Sequence, residues 1–217
     1  APEAKEAKSR GGRTFQLFIE EVLPDMPEHL RSVTGTLIMT TLTSVGKDFS
    51  ESPRSSSEIE TFAEAMSDMF CAYIAGLLAA MATKTGTVGF VGGMDIPLIR
   101  KFGCGYVGGA KAAGATEVIQ NMTGDTPAAW NDPTKGGEIA KSQIAQGADV
   151  IYAAAGGTGI GVLQAAADEG KYGIGVDSNQ NGLQPGHVLT SMLKRVDVAV
   201  YNAFMDARND SFSSGIN

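Results

Sequence analysis

The chain is poor in the residues from which metal centres, disulfide scaffolds and nucleic-acid surfaces are built. Its 217 residues hold only two cysteines, Cys71 and Cys104, and two histidines, His29 and His187. None of these cluster at ligand spacing, which excludes a structural zinc site. Both cysteines fall inside apolar helical patterns and read as buried small hydrophobes, with a single disulfide as the alternative. Basic residues are outnumbered, 17 Lys and Arg against 24 Asp and Glu, giving a net charge of −7 and a pI near 4.8. That balance argues against a nucleic-acid partner, whose phosphates demand a basic face. No apolar run is read as long enough for a membrane span, and no basic-plus-apolar signal segment opens the chain. The protein is therefore cytosolic, or a leader has already been removed.

What is plentiful is glycine. There are 28 glycines, with 43% hydrophobic, 19% charged and 7% aromatic residues, a composition that suits α/β architecture with its tight strand–helix turns. The length allows one large domain or two small ones.

The most informative stretch is 147–177. Residues 149–155 form a near-continuous apolar run, Gly156-Gly157-Thr158-Gly159 breaks it, 160–167 are helix formers, and 172–176 are apolar again before Asp177. Two apolar runs joined by a helical crossover read as a parallel βαβ unit, and ligands sit outside the carboxyl ends of such strands.

Similar units precede and follow it. A stripe from Ile59 to Met81 at three- and four-residue spacing predicts a long amphipathic helix over 58–85, opened by a Ser57–Glu60 capping box and closed by Gly86. Strands are expected at 87–91, 116–122 and 188–192. Helices are expected at 97–113, with Pro97 in the first turn, at 133–146 after an Asp132 N-cap, and at 193–206. The alternation implies a doubly wound parallel sheet over 86–206. Residues 1–57 are less legible: a charged arm at 1–13, a short element at 14–23, a strand or strand pair at 33–45, and a serine-rich linker at 50–57.

Candidate chemistry gathers at strand ends. Gly103-Cys-Gly-Tyr-Val-Gly108 satisfies G-x-G-x-x-G but falls inside a helix rather than in a strand–helix turn, so it reads as a packing surface. The turn at Gly156-Gly157 is better placed, since N–H groups at a helix start can donate to ligand oxygens. Asp177, at a strand end, is suited to accept from a vicinal diol, or else to cap Ser178 and Asn179. Trp130, the only tryptophan, lies in a connection, where it either stacks on a flat ring or packs over a helix end. Lys194 follows the last strand within reach of a ligand oxygen. No P-loop, no G-x-S-x-G elbow and no nucleophile–base pair is found, so binding is favoured over catalysis and no cofactor is implied.

Several long motifs carry a resemblance to a known family. They are Ala75-Gly-Leu-Leu-Ala-Ala-Met, Val88-Gly-Phe-Val-Gly-Gly-Met-Asp-Ile-Pro, Thr126-Pro-Ala-Ala-Trp-Asn-Asp-Pro, Gly147-Ala-Asp-Val-Ile-Tyr-Ala-Ala-Ala-Gly-Gly-Thr-Gly, Gly175-Val-Asp and Leu189-Thr-Ser-Met-Leu-Lys-Arg-Val-Asp. From about Phe70 to Asn217 the chain resembles the basic membrane protein family, solute-binding proteins of ABC importers similar to purine-nucleoside receptor lipoproteins. The resemblance implies a periplasmic-binding-protein type I fold whose two lobes close on adenosine, guanosine or inosine and deliver it to a permease. It implies an extracytoplasmic location, with a lipid anchor at an N-terminus preceding Ala1. Asp177 would grip the ribose, Lys194 and the backbone at Gly156 would hydrogen-bond the ligand, and Trp130 would stack on the base.

The family's D-x-S-F-N loop is not found in residues 1–69, and the chain stops where the family continues. The expectation is one complete lobe at 86–206 beside a partial or aberrant one. Residues 1–57 would be a divergent first-lobe segment, the helix at 58–85 would belong to that first lobe, and 207–217 would return toward it. A frameshifted or incompletely sequenced first lobe would account for residues 1–69. A nucleotide- or nucleoside-dependent enzyme on a Rossmann-like sheet and a ligand-sensing regulatory domain are the alternatives.

Overall fold

The computed structural model describes residue 20, residues 27–50 and residues 55–209. The arm at 1–13, the element read at 14–23 (Glu20 apart) and the segment at 210–217 lie outside them. The chain divides into two compact units, residues 1–59 and 60–217.

The first unit carries α1, Glu28–Ser50. The strand expected at 33–45 is corrected: β-branched content pointed to a strand, but Pro27 and Glu28 open a helix, and Thr34 and Ile38, four residues apart, are buried. The carbonyl of Pro27 already accepts from the Leu30 and Arg31 N–H groups. The next helix, α2, spans Ser56–Ala82. Its capping box lies two residues earlier than expected, at Ser55 and Glu58. The Glu58 N–H donates to Ser55 Oγ at 3.2 Å, and the Ser55 N–H donates back to Glu58 Oε2 at 2.8 Å. Both Ser-x-x-Glu pairs fit the pattern, and the earlier one adds half a turn of helix.

The second unit is a five-stranded, wholly parallel sheet in the order β2-β1-β3-β4-β5. The strands are β1 Thr87–Met94, β2 Glu117–Gly124, β3 Val150–Ala154, β4 Tyr172–Asp177 and β5 Val188–Leu193. Between them run α3 Pro97–Ala112, α4 Pro133–Ala145 and α5 Thr158–Asp168, with α6 Val196–Arg208 following β5. Strand alternation divides the core into two layers. Val88, Phe90, Tyr152 and Ile174 face α3, while Val91, Ile151 and Ala153 face α4 and α5. Winding reverses between β2 and β3, which puts the topological switch point at the carboxyl ends of β1 and β3.

The sequence assigns α2 to another lobe, but the structure packs it on this sheet's own face. Ala72, Ala75 and Ala79 enter the same core layer as Phe90, Phe102 and Tyr106. Within α2 the stretch Ala65–Ala82 is long and apolar enough by length and composition to cross a membrane, a run the sequence reading does not find. Its small inward residues serve the sheet instead. Cys71 and Cys104 are free and exposed, correcting the expectation of burial or pairing. Each adjoins a buried position of its helix, Ala72 and Gly103, and burial still pushes the Cys71 thiol above its ordinary value.

Asp149, 7% exposed, ties the α2–β1 connection to the start of β3. Its carboxylate accepts from the Thr83 hydroxyl and from the N–H groups of Lys84 at 2.7 Å and Thr85 at 3.2 Å. Burial alone would raise its pKa, but these hydrogen bonds outweigh burial and hold it below the usual carboxylate value. Because the folded pKa is the lower one, this stabilisation is present above about pH 4 and is lost as pH falls through the folded value. Asp149→Asn is expected to lose about 2–3 kcal/mol at pH 7 in urea denaturation, since its amide would face backbone donors. The variant should also lose the part of the wild type's pH dependence between about pH 5 and 3 that Asp149 contributes. An unchanged slope in that window would count against the clasp.

Candidate functional site

A concave site lies on the carboxyl edge of the sheet at the switch point. β3 and β4 reach it directly, β5 through Lys194 just past its end, β1 through the helix that follows it and β2 through the turn that follows. The cavity, about 200 Å³, is lined by Leu98, Ile99, Phe102, Trp130, Ala154, Gly156, Val176, Asp177 and Lys194. Four of the five residues singled out from the sequence therefore line one space.

Each is placed by a local device. Trp130 ends a 3₁₀ turn, Pro127–Trp130, between β2 and α4, and is half-buried. The Ala129 carbonyl beside it accepts from the hydroxyls of Thr123 at 2.9 Å and Thr158 at 2.8 Å. Asp132 caps α4 as expected, its Oδ1 accepting from the Lys135 N–H at 2.9 Å. Gly156 follows β3 in the left-handed region, φ +55, a conformation that presents the turn to the cavity without a side chain. Among the described residues the N–H groups of Gly156 and Gly157 donate to no acceptor, so both remain free for a ligand oxygen. Gly157 itself lies just outside the cavity lining, at the N-cap of α5, against Asn131 and the Trp130 carbonyl.

Asp177 is the only described non-glycine residue with positive φ, +65. The Ser178 N–H donates to the Val176 carbonyl at 2.8 Å, closing a three-residue γ-turn around it. Its carboxylate is exposed and, among the described residues, accepts no hydrogen bond, so it does not cap Ser178 or Asn179. Lys194 is brought beside it by the β4–β5 register, which pairs Asp177 with Leu193, and by a 2.8 Å bond from the Lys194 N–H to the Asp177 carbonyl.

Asp177 and Lys194 are the charged groups of the lining, and neither forms an ion pair among the described residues. Neighbouring arginines are engaged elsewhere: Arg100 grips Asp95 through two nitrogens at 2.6 and 2.9 Å, and Arg195 grips Asp197 at 2.9 and 2.8 Å. The guanidinium of Arg100 holds the Asp95 carboxyl below its ordinary value. Behind the cavity Tyr152 donates its hydroxyl to Met192 Sδ, and burial followed by the charge of Asp177 pushes that hydroxyl well above an ordinary phenol. It remains protonated and contributes no charge to the site.

The apolar side of the cavity, Leu98, Ile99 and Phe102, is missing from the sequence reading. The signal was a helix opening directly after a strand, with apolar residues at its second, third and sixth positions. Gly103-Cys-Gly-Tyr-Val-Gly108 lies inside α3, as expected. A larger groove of about 470 Å³ runs between α4 and α5, lined by residues such as Glu138, Lys141, Gln164 and Asp168. It lies away from the strand ends and contains none of the convergent groups.

Comparison with known proteins returns the same region. A family model described as ABC transporter substrate-binding protein PnrA-like matches residues 66–217, and one described as the C-terminal domain of tetracyclin repressor-like proteins matches residues 1–77. Basic membrane protein D of Borreliella burgdorferi (strain JD1) is 40% identical over 134 residues, covering 60% of this chain and 38% of its own length. The ABC transporter nucleoside-binding protein BmpA of Lactococcus lactis subsp. cremoris is 34% identical over 162 residues, 66% of this chain and 45% of its own. A solute-binding protein of an ABC transporter system from Aeropyrum pernix K1 superposes with a TM-score of 0.60 at 32% identity, over 68% of this chain and 44% of that one. A transcriptional activator of the comK gene from Bacillus halodurans does so with 0.60 at 26% identity, over 67% and 49%. The chain thus spans less than half the length of these relatives.

Proposed function

The chain belongs to the PnrA-like family of ABC transporter substrate-binding proteins, and we propose that it forms one wall of a purine-nucleoside site in a receptor that feeds an ABC permease. The family consists of binding proteins rather than enzymes. The reading rests on one observation above the others: Trp130, Gly156 and Lys194 from three separate connections and Asp177 from a strand end line a single cavity. An indole and an apolar wall suit the faces of a base, an unpaired carboxylate suits a vicinal diol, and free N–H groups with an ammonium suit the remaining oxygens. The relative from Lactococcus lactis is named for nucleoside binding. The receptor works outside the cytoplasm, held at the membrane by a lipid anchor preceding Ala1.

Size sets the expected affinity. Pockets that enclose a small ligand run to about 300–1,000 Å³ and bury roughly 70–90% of its surface. A cavity of about 200 Å³ holds part of a nucleoside against one wall. Full-length relatives are expected to bind at micromolar concentration or tighter, and this chain two to four decades more weakly, roughly 3–5 kcal/mol. Titration with adenosine, guanosine and inosine, followed by the emission of the sole tryptophan, should show saturable quenching near millimolar concentration. D-Glucose should give none. No response to any of the three nucleosides, or an equal response to glucose, would overturn the nucleoside reading, and tight binding would overturn the half-site.

A second reading has its own observations. Residues 1–77 match the repressor C-terminal domain model, and one structural neighbour is a transcriptional activator. In that reading the same cavity serves sensing in the cytoplasm. Protease accessibility of the chain in spheroplasts separates the two, because only an extracytoplasmic receptor is digested.

A further inference from the structure

We infer that Gly93 and Thr158 are positioning residues for Trp130, setting where its indole stands at the cavity wall without themselves lining the cavity. For its effect on binding the inference rests on the nucleoside reading, whereas the placement of the indole does not.

The turn that carries Trp130 is four residues long, Pro127–Trp130, and so short a 3₁₀ helix has little stability of its own. Its position must come from what it touches. Thr158, fully buried, binds the chain on both sides of Trp130: its hydroxyl donates to the Ala129 carbonyl at 2.8 Å and accepts from the Asp132 N–H at 2.7 Å. Thr123, also buried, donates a second hydrogen bond to the same carbonyl at 2.9 Å. Thr158 is the first residue of α5, directly after Gly156 and Gly157. One hydroxyl therefore fixes the tryptophan turn relative to the glycine turn that supplies the free N–H groups.

Gly93 acts on the ring. A Cβ built on it would lie 2.2 Å from Trp130 Cζ3, 2.4 Å from Cε3 and 3.0 Å from Cη2. The indole thus occupies the space in which any side chain at position 93 would stand. Gly93 lies in β1, and its φ is outside the left-handed region, so its backbone conformation does not require glycine. What glycine provides here is room. A Cβ built on Gly156 would stand 3.5 Å from Trp130 Cε3, an ordinary contact, so the glycine turn also lies close to the ring. The ring is held before any ligand arrives, which is the arrangement that limits the ordering lost on binding.

Because the chain has one tryptophan, its emission and its quenching by acrylamide report Trp130 alone. In the full chain without ligand, Gly93→Ala and Thr158→Val should each raise the quenching constant about twofold or more, while Thr158→Ser, which keeps the hydroxyl, should match wild type. With adenosine, Gly93→Ala and Thr158→Val should weaken binding about 5-fold or more, the lower end of a stacking contribution. In a Trp130→Ala background the same substitutions should change affinity less than about twofold. If Gly93→Ala folds poorly, Trp130→Ala should restore its melting temperature, since the clash is with the indole. Wild-type quenching in both Gly93→Ala and Thr158→Val overturns the placement. Equal losses of affinity with and without Trp130 overturn its link to binding. A wild-type chain that binds no nucleoside defeats the functional reading alone, leaving the ligand-free quenching to decide the placement.

Discussion

Replacing Asp177 with glycine is expected to raise the melting temperature while weakening nucleoside binding by at least about 10-fold. The two effects separate because Asp177 carries two loads. Its backbone sits at φ +65 in a γ-turn, a region that costs a side-chain-bearing residue roughly 1–2 kcal/mol and costs glycine almost nothing. Its carboxylate is exposed at the cavity with no partner among the described residues, so removing it breaks no internal bond. Relief of the strain should add about 2–4 °C per kcal/mol for a unit of this size. Loss of a charged acceptor that takes up to two hydroxyl hydrogen bonds should remove about 1.5–3 kcal/mol of binding, or roughly 10- to 150-fold. Asp177→Ala should weaken binding as much but lower stability, because alanine keeps the strain and lacks the aspartate's tolerance of that region. Thermal denaturation and an adenosine titration on the same three proteins decide it. Glycine and alanine variants that bind like wild type would remove Asp177 from the site.

The second large effect is on stability. Gly109→Ala should destabilise the chain by about 1–3 kcal/mol, whereas Gly108→Ala, one residue away on the same helix, should be neutral or stabilising. Helix propensity predicts a gain of about 1 kcal/mol at both positions, so the sign depends on what the new methyl group meets. At Gly109 a Cβ would lie 1.9 Å from the Tyr73 carbonyl oxygen, and α2 would have to move off α3. At Gly108, which is exposed, it meets the Tyr73 ring at 3.5 Å, an ordinary contact. Gly76 and Gly105 make similarly close approaches, to the Tyr106 and Met69 carbonyls. Gly105 of the G-x-G-x-x-G sequence, with Gly109 just after it and Gly76 on the facing helix, thus serves a helix crossing. Denaturant unfolding at neutral pH gives the comparison, and equal effects at 108 and 109 would contradict it.

Much of the site was legible because strand–turn–helix units announce themselves locally. Asp132 followed by Pro133 marks a helix start, and Gly156-Gly157 after an apolar run marks a strand end, so the carboxyl edge is written in local sequence. Support for the site was not legible. Thr158 reads as one residue of the glycine turn, and its hydroxyl acquires meaning only when Ala129 and Asp132 lie against it. Leu98, Ile99 and Phe102 pass in the sequence as ordinary members of the helix after Pro97, until the first turns of α3 open beside Trp130.

What the sequence by itself determined was the order of strands and helices from residue 86 onward and the edge on which polar and aromatic residues would emerge. These follow from periodicity and turn chemistry, which act over a few residues. Only the tertiary structure decided that 33–45 is helical, that α2 belongs to the sheet's own core, that both cysteines are free and exposed, and that Gly157 stands outside the cavity lining. It also decided that Gly93 makes room for an indole 37 positions further along the sequence. Each of these depends on which distant segment arrives alongside, and strand register and close helix approach set that, not local propensity.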